Sequence, residues 1–371
     1  VSPLAANATR GTTPLPAPWR CDVVGTFAHR TCTERWPAIV RATAVDVPNA
    51  AAPLRALADE IEAGALRALA LTTADPPRWR AIDAYVGGPW TALPWYLGES
   101  FLYARLREAV GFPNDGRDPF LPAKQREERG LLAPDGAEHA DDAALARALW
   151  RSLWGNRGDL SLPEARAHTG TDVADLVADE RAAALELLVA ARRVAVVLDN
   201  AGGELAADLA LARALAARGV SVTLMPKDAP FFVSDALPAD IDRLAARGHG
   251  TGGAAVVVDP FFTGPDFLRT AALPKTLAAL LADVDVIVAK GDCNYRRLVG
   301  DAPWSPGDGR RFDDVVDLPA PVLALRTLKA EVLVGADPAR AAAAASRDPA
   351  WLVSGRFGVV QVARGASRKL R

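Results

Sequence analysis

The chain has 371 residues, which at roughly 100 to 200 residues per domain predicts two domains, or one large domain with a subdomain. Half of the residues are hydrophobic and 24% are charged, and Lys+Arg 43 against Asp+Glu 45 leaves a formal net charge of -2. That balance excludes bulk electrostatic capture by nucleic acid or by an anionic membrane, and no run of 18 uncharged apolar residues exists to span a bilayer.

The opening VSPLAANATRGTTPLPAPW has no basic segment followed by an apolar stretch, so residues 1–20 are expected to be a flexible N-terminus without a secretion signal. Cys21, Cys32 and Cys293 are too few and too scattered for a disulfide framework, and none has zinc-site spacing. A reducing, cytoplasmic setting is expected. From about residue 34 to 190 the apolar residues recur at helical spacing, which predicts a helical subdomain over residues 21–190. Its last helix is expected to start at Thr171 or Asp172, with Val173, Leu176, Val177, Ala184, Leu187 and Leu188 on one face. Trp79, Trp90, Trp95 and Trp154 are read as its core packing.

After Arg193 the texture changes to the runs VAVVLDN, VSVTLMP, AAVVVDP, VDVIVAKGD, PVLALRT and EVLVG, each separated by Ala/Leu-rich helical stretches. Continuous apolar strands alternating with helices predict a parallel sheet covered on both faces, over residues 191–371. Ligands in such folds bind outside the carboxyl ends of the strands. The polar residues just past these runs therefore belong to one crevice.

Asp199 and Asn200 end the first run, with Glu204 near the start of the following helix. A carboxylate and an amide oxygen at a strand end suit a hard divalent cation, and a helix N-terminus suits an anion; an ordinary helix cap by Asp or Asn is the competing reading. Asp292 in KGDCNYRRL takes the matching place after the fourth run, beside Asn294 and Arg296. Two acidic strand ends facing one crevice repel unless a cation lies between them, a bound metal or a salt bridge to Lys290 or Arg296. The oxygen set fits Mg²⁺ or Mn²⁺. Arg326, Thr327 and Lys329 combine a guanidinium fork, a hydroxyl and an ammonium suited to a phosphate, or to a solvated turn. Lys227 and Asp228 either join that pocket or form a strand-end ion pair. The glycines of GHGTGG precede a strand, not a helix, and neither a P-loop nor a GxSxG elbow occurs. His29, His139, His168 and His249 have no metal or triad spacing.

At DNAGGELAADLALA, PKDAPFFVSD, KGDCNYRRLVGD and LRTLKAEVLVG the chain resembles the damage-control phosphatase family, also called the acidic-residue methyltransferase or unknown-function-eighty-nine family. GTFAHRTCTERWPAIV, GGPWTALPWYLGESFLYARL, DPF with Lys124 and SLWGNRGDLSL extend the likeness through the helical half in collinear order. The RTxK motif at Arg326 to Lys329 is similar to that of a sugar-phosphate phosphatase subfamily. The resemblance implies a three-layer α/β/α sandwich with a mainly parallel Rossmann-like sheet, plus an N-terminal all-helical subdomain. It implies one divalent metal ion (Mn, Mg, Co or Ni) held by Asp199, Asn200 and Asp292, and substrate contacts from Glu204 and from Arg326 to Lys329. Arg356 stands in a block where the family has Lys, Cys293 where an aliphatic residue is expected and Phe231 where Trp is expected.

The expected activity is metal-dependent hydrolysis of a small phosphomonoester, a sugar phosphate or related metabolite. Glu204 or a ligating carboxylate would orient the water, and Asn156, Lys227, Asp228 and Arg356 would add substrate contacts. Asn156, Asp159, Glu99 and Asp118 are expected to reach in from a helical lid, with capping and ion pairing the competing roles of the last two. Alternatives are S-adenosylmethionine-dependent methylation of protein carboxylates, recruitment of the phosphatase to a specialised biosynthetic pathway, and a non-enzymatic metabolite-binding or scaffold role.

Overall fold

Short β-branched runs become strands here because their side chains are buried on both faces, which only a sheet covered by helices allows. The computed structural model describes residues 14–70, 76–112, 114, 117–131, 140–155, 173–305 and 309–365. Among them, β1 (Leu176–Asp179), β2 (Arg193–Val197), β3 (Ser221–Met225), β4 (Ala255–Val256), β5 (Val286–Lys290), β6 (Val322–Thr327) and β7 (Gly358–Ala363) form one sheet. Its order is β1-β7-β6-β5-β2-β3-β4, and every neighbouring pair is parallel except β6 with β7.

The helical half comprises α1 (Phe27–Arg30), α2 (Trp36–Asp46), α3 (Ala51–Ala63), α4 (Trp95–Ala109) and α5 (Leu121–Glu128). Interleaved with the strands come α6 (Asp142–Trp154), α7 (Arg181–Ala190), α8 (Gly202–Ala217), α9 (Pro238–Ala246), α10 (Lys275–Ala282), α11 (Gly291–Val299), α12 (Phe312–Val315) and α13 (Pro338–Arg347). Alternation along the central strands divides the core in two. Val194, Val196 and Val288 join Leu149, Leu188, Leu205 and Leu244 of α6, α7, α8 and α9. Ala195, Val197 and Ile287 instead join Trp36, Trp90, Trp95 and Phe101 of the helical half, with Leu281 and Leu298 of α10 and α11. Each such aliphatic side chain stabilises the fold by about 1.5–3 kcal/mol relative to exposure. The result is the expected α/β/α arrangement.

Three local expectations are corrected. The helix expected from Thr171 is instead β1 followed by α7: Leu176–Asp179 pairs with Gly358–Val360, and the i, i+3, i+4 spacing of Val173, Leu176 and Val177 mimicked a helix. EVLVG is a buried loop. Its backbone polar groups are met by side chains: Arg326 donates to Val332 O, Gln361 Nε2 to Val334 O at 2.7 Å, and Val334 N to Tyr295 Oη at 3.2 Å. AAVVVDP yields only the two exposed residues of β4. The final strand, β7, went unpredicted, and β1 and α6 bring residues before 191 into the sandwich.

One buried ion pair ties α3 to α4. Arg105 donates to both oxygens of Glu60, at 2.8 and 3.0 Å, and Arg67 Nε adds a third bond at 2.8 Å. Burial pushes the Glu60 carboxyl up, but the hydrogen bonds from Arg105 and Arg67 outweigh it and hold its pKa below the ordinary value. Glu60→Gln, which leaves the buried guanidinium only Glu108, 3.0 Å from its Nε, as counter-charge, is expected to destabilise the protein by about 2 kcal/mol in chemical denaturation at neutral pH. A folded pKa below the unfolded one makes this contribution full at neutral pH and lost as pH falls through the depressed value, so the difference between wild type and variant should shrink in acid.

Candidate functional site

Because β2, β3, β5 and β6 run parallel, their carboxyl ends lie on one edge of the sheet. Asp199 and Asn200 follow β2, Asp292 sits in the first turn of α11 directly after β5, and Lys329 follows β6. All four line a cavity of about 660 Å³, with Trp95 and Glu99 of α4, Lys124, Arg126 and Glu127 of α5, and residues 232 to 235. Gly291 makes the juxtaposition possible. Its φ is +75°, and a Cβ built there would lie 1.8 Å from Asp199 Oδ2.

Asp199 is 4% exposed, and its Oδ1 has no hydrogen-bond partner among the described residues. Its Oδ2 accepts from Asn200 Nδ2 at 3.0 Å. Burial, then the neighbouring charges of Asp235 and Glu204, push the Asp199 carboxyl well above the ordinary range, against the pull of Lys227. A buried carboxylate so short of positive charge, with one oxygen unpaired, fits a site built for a cation. Asp292 is arranged differently: Oδ1 takes Arg326 Nε at 2.8 Å and Lys329 N at 3.1 Å, and no described residue bonds Oδ2. Asn200 donates to Glu204 Oε2 at 2.8 Å while its Oδ1 accepts from Ser234 Oγ at 2.5 Å. Among the described residues no three His, Cys, Asp or Glu side chains form a metal cage; what Asp199, Asp292 and Asn200 bring to the cavity is two carboxylates and a carboxamide. That all-oxygen set suits a hard divalent ion.

Other residues singled out in the sequence lie elsewhere or have other partners. Glu204 does not line the cavity; it bonds Asn200 and lies 3.4 Å from Lys290 Nζ. Lys227 is fully buried beneath it, donating to Leu198 O at 2.8 Å and 3.1 Å from Asp235 Oδ2. Asp228 turns away and accepts from Thr263 Oγ1 at 2.7 Å. Arg326 does not reach the cavity: its guanidinium holds Asp292, donates to Val332 O and Ala330 O, and stacks 4.3 Å from the Tyr295 ring centre. Thr327 closes β6 opposite Gly358. Arg356 rests over Phe357, with Nε 4.0 Å from Asp175. Glu99 lines the cavity but accepts from Arg296 Nη1 at 2.6 Å, and Asp118 pairs with Lys124 Nζ at 2.8 Å. Asn156 and Asp159 lie outside the described residues. The start of α8, expected to receive an anion, already has one, since Gly203 N donates to Glu127 Oε1 at 3.2 Å.

Asp235 was not singled out, and Lys290 and Arg296, weighed as salt-bridge partners of the acidic strand ends, pair with other carboxylates. Asp235, on the cavity wall and 1% exposed, has an Oδ1 without a hydrogen-bond partner among the described residues, and burial pushes its carboxyl up to about 6 despite Lys227. Lys290, fully buried, donates to Ser152 O and neutralises Asp208 at 3.1 Å and Glu204. Arg296 lines the cavity, stacked 3.8 Å from the Trp95 ring centre and held by Glu99 and by Asp301 at 2.7 Å. Asp235 lies within the PKDAPFFVSD block, but no spacing rule distinguishes it from an ordinary turn residue.

Residues 31–343 match the family model described as the damage-control phosphatase ARMT1-like domain. Among curated relatives, damage-control phosphatase ARMT1 of Danio rerio is 29% identical over a 333-residue alignment, covering 73% of this chain and 74% of the relative. The Homo sapiens protein of the same name is 28% identical over 333 positions, covering 73% and 75%. Among solved structures, a DUF89-family protein from Pyrococcus horikoshii superposes with a TM-score of 0.52 at 16% identity, over 90% of this chain and 98% of that one, a likeness of fold.

Proposed function

Because the chain belongs to the damage-control phosphatase ARMT1-like domain family, we propose that it hydrolyses a small phosphomonoester in a divalent-metal-dependent reaction at the cavity between Asp199 and Asp292. The observation that carries this reading is the buried Asp199 Oδ1, without a partner among the described residues, beside a second carboxylate and an ammonium on one cavity wall. A cation held by Asp199, Asp292 and the carboxamide of Asn200 would supply Lewis-acid polarisation of a phosphoryl oxygen.

The chain's own groups do the rest. Lys329, on the cavity wall, neutralises charge on the phosphoryl oxygens. Arg326 acts through Asp292, fixing Oδ1 so that Oδ2 keeps one orientation. Water attacks phosphorus in line as the bond to the alcohol oxygen breaks. Asp235 is a better acceptor for the hydrogen bond of that water than Glu204, whose oxygens are engaged by Asn200 and Lys290 away from the cavity. The RTxK resemblance supports a sugar phosphate or related metabolite as substrate. The three free, buried thiols support a cytoplasmic setting, and no described helix is long and apolar enough to cross a membrane.

Metal-stripped protein is expected to release no phosphate from a panel of phosphomonoesters, and Mg²⁺, Mn²⁺, Co²⁺ or Ni²⁺ restored separately should raise the rate by roughly three orders of magnitude, several kcal/mol of transition-state stabilisation. Equal rates with and without metal would refute the metal-dependent reading. Calorimetric binding of S-adenosylmethionine, with no phosphate release under any metal, would replace it with methyl transfer.

A further inference from the structure

Spacing along two helices brings four side chains to the cavity wall. Asp292 and Arg296 are one turn apart on α11, Trp95 and Glu99 one turn apart on α4, and residues at i and i+4 share a helix face. All four line the cavity. Arg296 joins the two helices: its guanidinium lies 3.8 Å from the Trp95 ring centre, and its Nη1 donates to Glu99 Oε2 at 2.6 Å. Nε goes to Asp301 at 2.7 Å, which leaves Nη2, in a residue 2% exposed, without a hydrogen-bond partner among the described residues. Trp95 Nε1 lacks one too, and Glu99 Oε1 accepts from no described residue.

A buried donor left unmet is costly, and a ligand group that meets it is favoured over one that does not. Phe27, Ile39 and the Phe232-Val233 turn, whose φ angles are 45° and 64°, line the same cavity and offer that donor no side-chain acceptor. The group that meets it is neutral. Glu99 and Asp301 already balance the charge of Arg296, and Asp292 and Asp235 also line the cavity, so a carboxylate placed at Nη2 would face other carboxylates. A hydroxyl both accepts and donates, so one such group takes Nη2 and gives its proton to Glu99 Oε1. Arg296 stands one helical turn, about 5.4 Å, along α11 from Asp292, a reach that suits a hydroxyl on a carbon close to the ester carbon. Resting on the phosphatase reading and deepening it, we infer that Arg296 and Glu99 determine specificity, with Nη2 donating to and Oε1 accepting from a hydroxyl on the alcohol portion of the phosphate ester.

The test compares three esters on metal-restored protein: glycerol 3-phosphate, propyl phosphate, which has the same carbon chain without hydroxyls, and 2-phosphoglycolate, which offers a carboxylate instead. Calorimetry compares the binding of 3,4-dihydroxybutylphosphonate and butylphosphonate. Glycerol 3-phosphate should have a kcat/KM about thirtyfold above that of propyl phosphate, 2-phosphoglycolate should do no better than propyl phosphate, and the dihydroxy phosphonate should bind about thirtyfold tighter than butylphosphonate. Arg296→Lys keeps a cation beside Glu99 and Asp301 but loses the planar fork, so both ratios should fall toward one. Should Arg296→Lys not fold, Glu99→Gln, whose carboxamide can still accept from Arg296 but offers the hydroxyl a donor in place of Oε1, reads the same ratios. A merely structural role would slow all esters alike and leave the ratios standing. Equal kcat/KM for glycerol 3-phosphate and propyl phosphate, a preference for 2-phosphoglycolate, equal or absent phosphonate binding, or ratios unchanged in a folded variant overturns the inference, and as long as phosphate is released the phosphatase reading stands. Release from none of the esters goes against the phosphatase reading, and the phosphonate ratio then still decides whether Arg296 and Glu99 read a hydroxyl.

Discussion

Asp292→Asn protein is expected to keep its fold and lose metal-dependent phosphate release by on the order of a thousandfold. The carboxamide oxygen can still accept from Arg326 Nε and Lys329 N, as Asp292 Oδ1 does at 2.8 and 3.1 Å, while the second oxygen, the one those bonds leave for a cation, becomes an amide nitrogen. Alanine is a poorer probe. It removes the carboxylate from a guanidinium with 0% side-chain exposure, so Asp292→Ala should add a stability loss of about 3–5 kcal/mol to the loss of turnover. Rates, metal affinity and thermal midpoints of the two variants separate these effects. An Asn variant that turns over normally would remove Asp292 from the ligand set.

Gly291→Ala should be more damaging than alanine at any other described glycine. The positive φ of +75° disfavours any Cβ by about 1–2 kcal/mol, and the collision with Asp199 Oδ2, 1.8 Å away, adds about 1–3 kcal/mol of overpacking. Relief requires Asp199 to move, so metal affinity should fall together with stability. Gly219→Ala is the control, with φ +80° and nothing within 4 Å of the added carbon. Equal thermal midpoints for the two variants would show that Asp199 gives way freely and that its position is not held by α11.

The location of the site was legible because it depends on strand direction alone: apolar runs made the strands, parallel pairing put their polar ends together, and Asp199, Asn200, Asp292 and Lys329 met. The assignment of partners was not legible. Arg326 has the chemistry of a phosphate ligand, but a carboxylate 34 residues away in sequence satisfies the same donors. β-Branched texture likewise gave no means of separating β6 from residues 331–335, whose backbone is served by Tyr295, Gln361 and Arg326 in place of a neighbouring strand. The Phe232-Val233 turn was invisible for a further reason: positive φ is announced by glycine, and neither residue is one.

The position of β7 between β1 and β6 sets a timetable for the nascent chain. Glu180, just after β1, accepts a hydrogen bond from Val362, 182 residues later. At 5–20 residues per second, roughly 10–40 s of translation separate the two. Throughout that interval β1 has no strand beside it, and once Val322–Thr327 is made β6 too has one bare edge, both open to pairing with the wrong chain. Ribosome-bound intermediates lacking Gly358–Ala363 are therefore where holdase chaperones have most to protect.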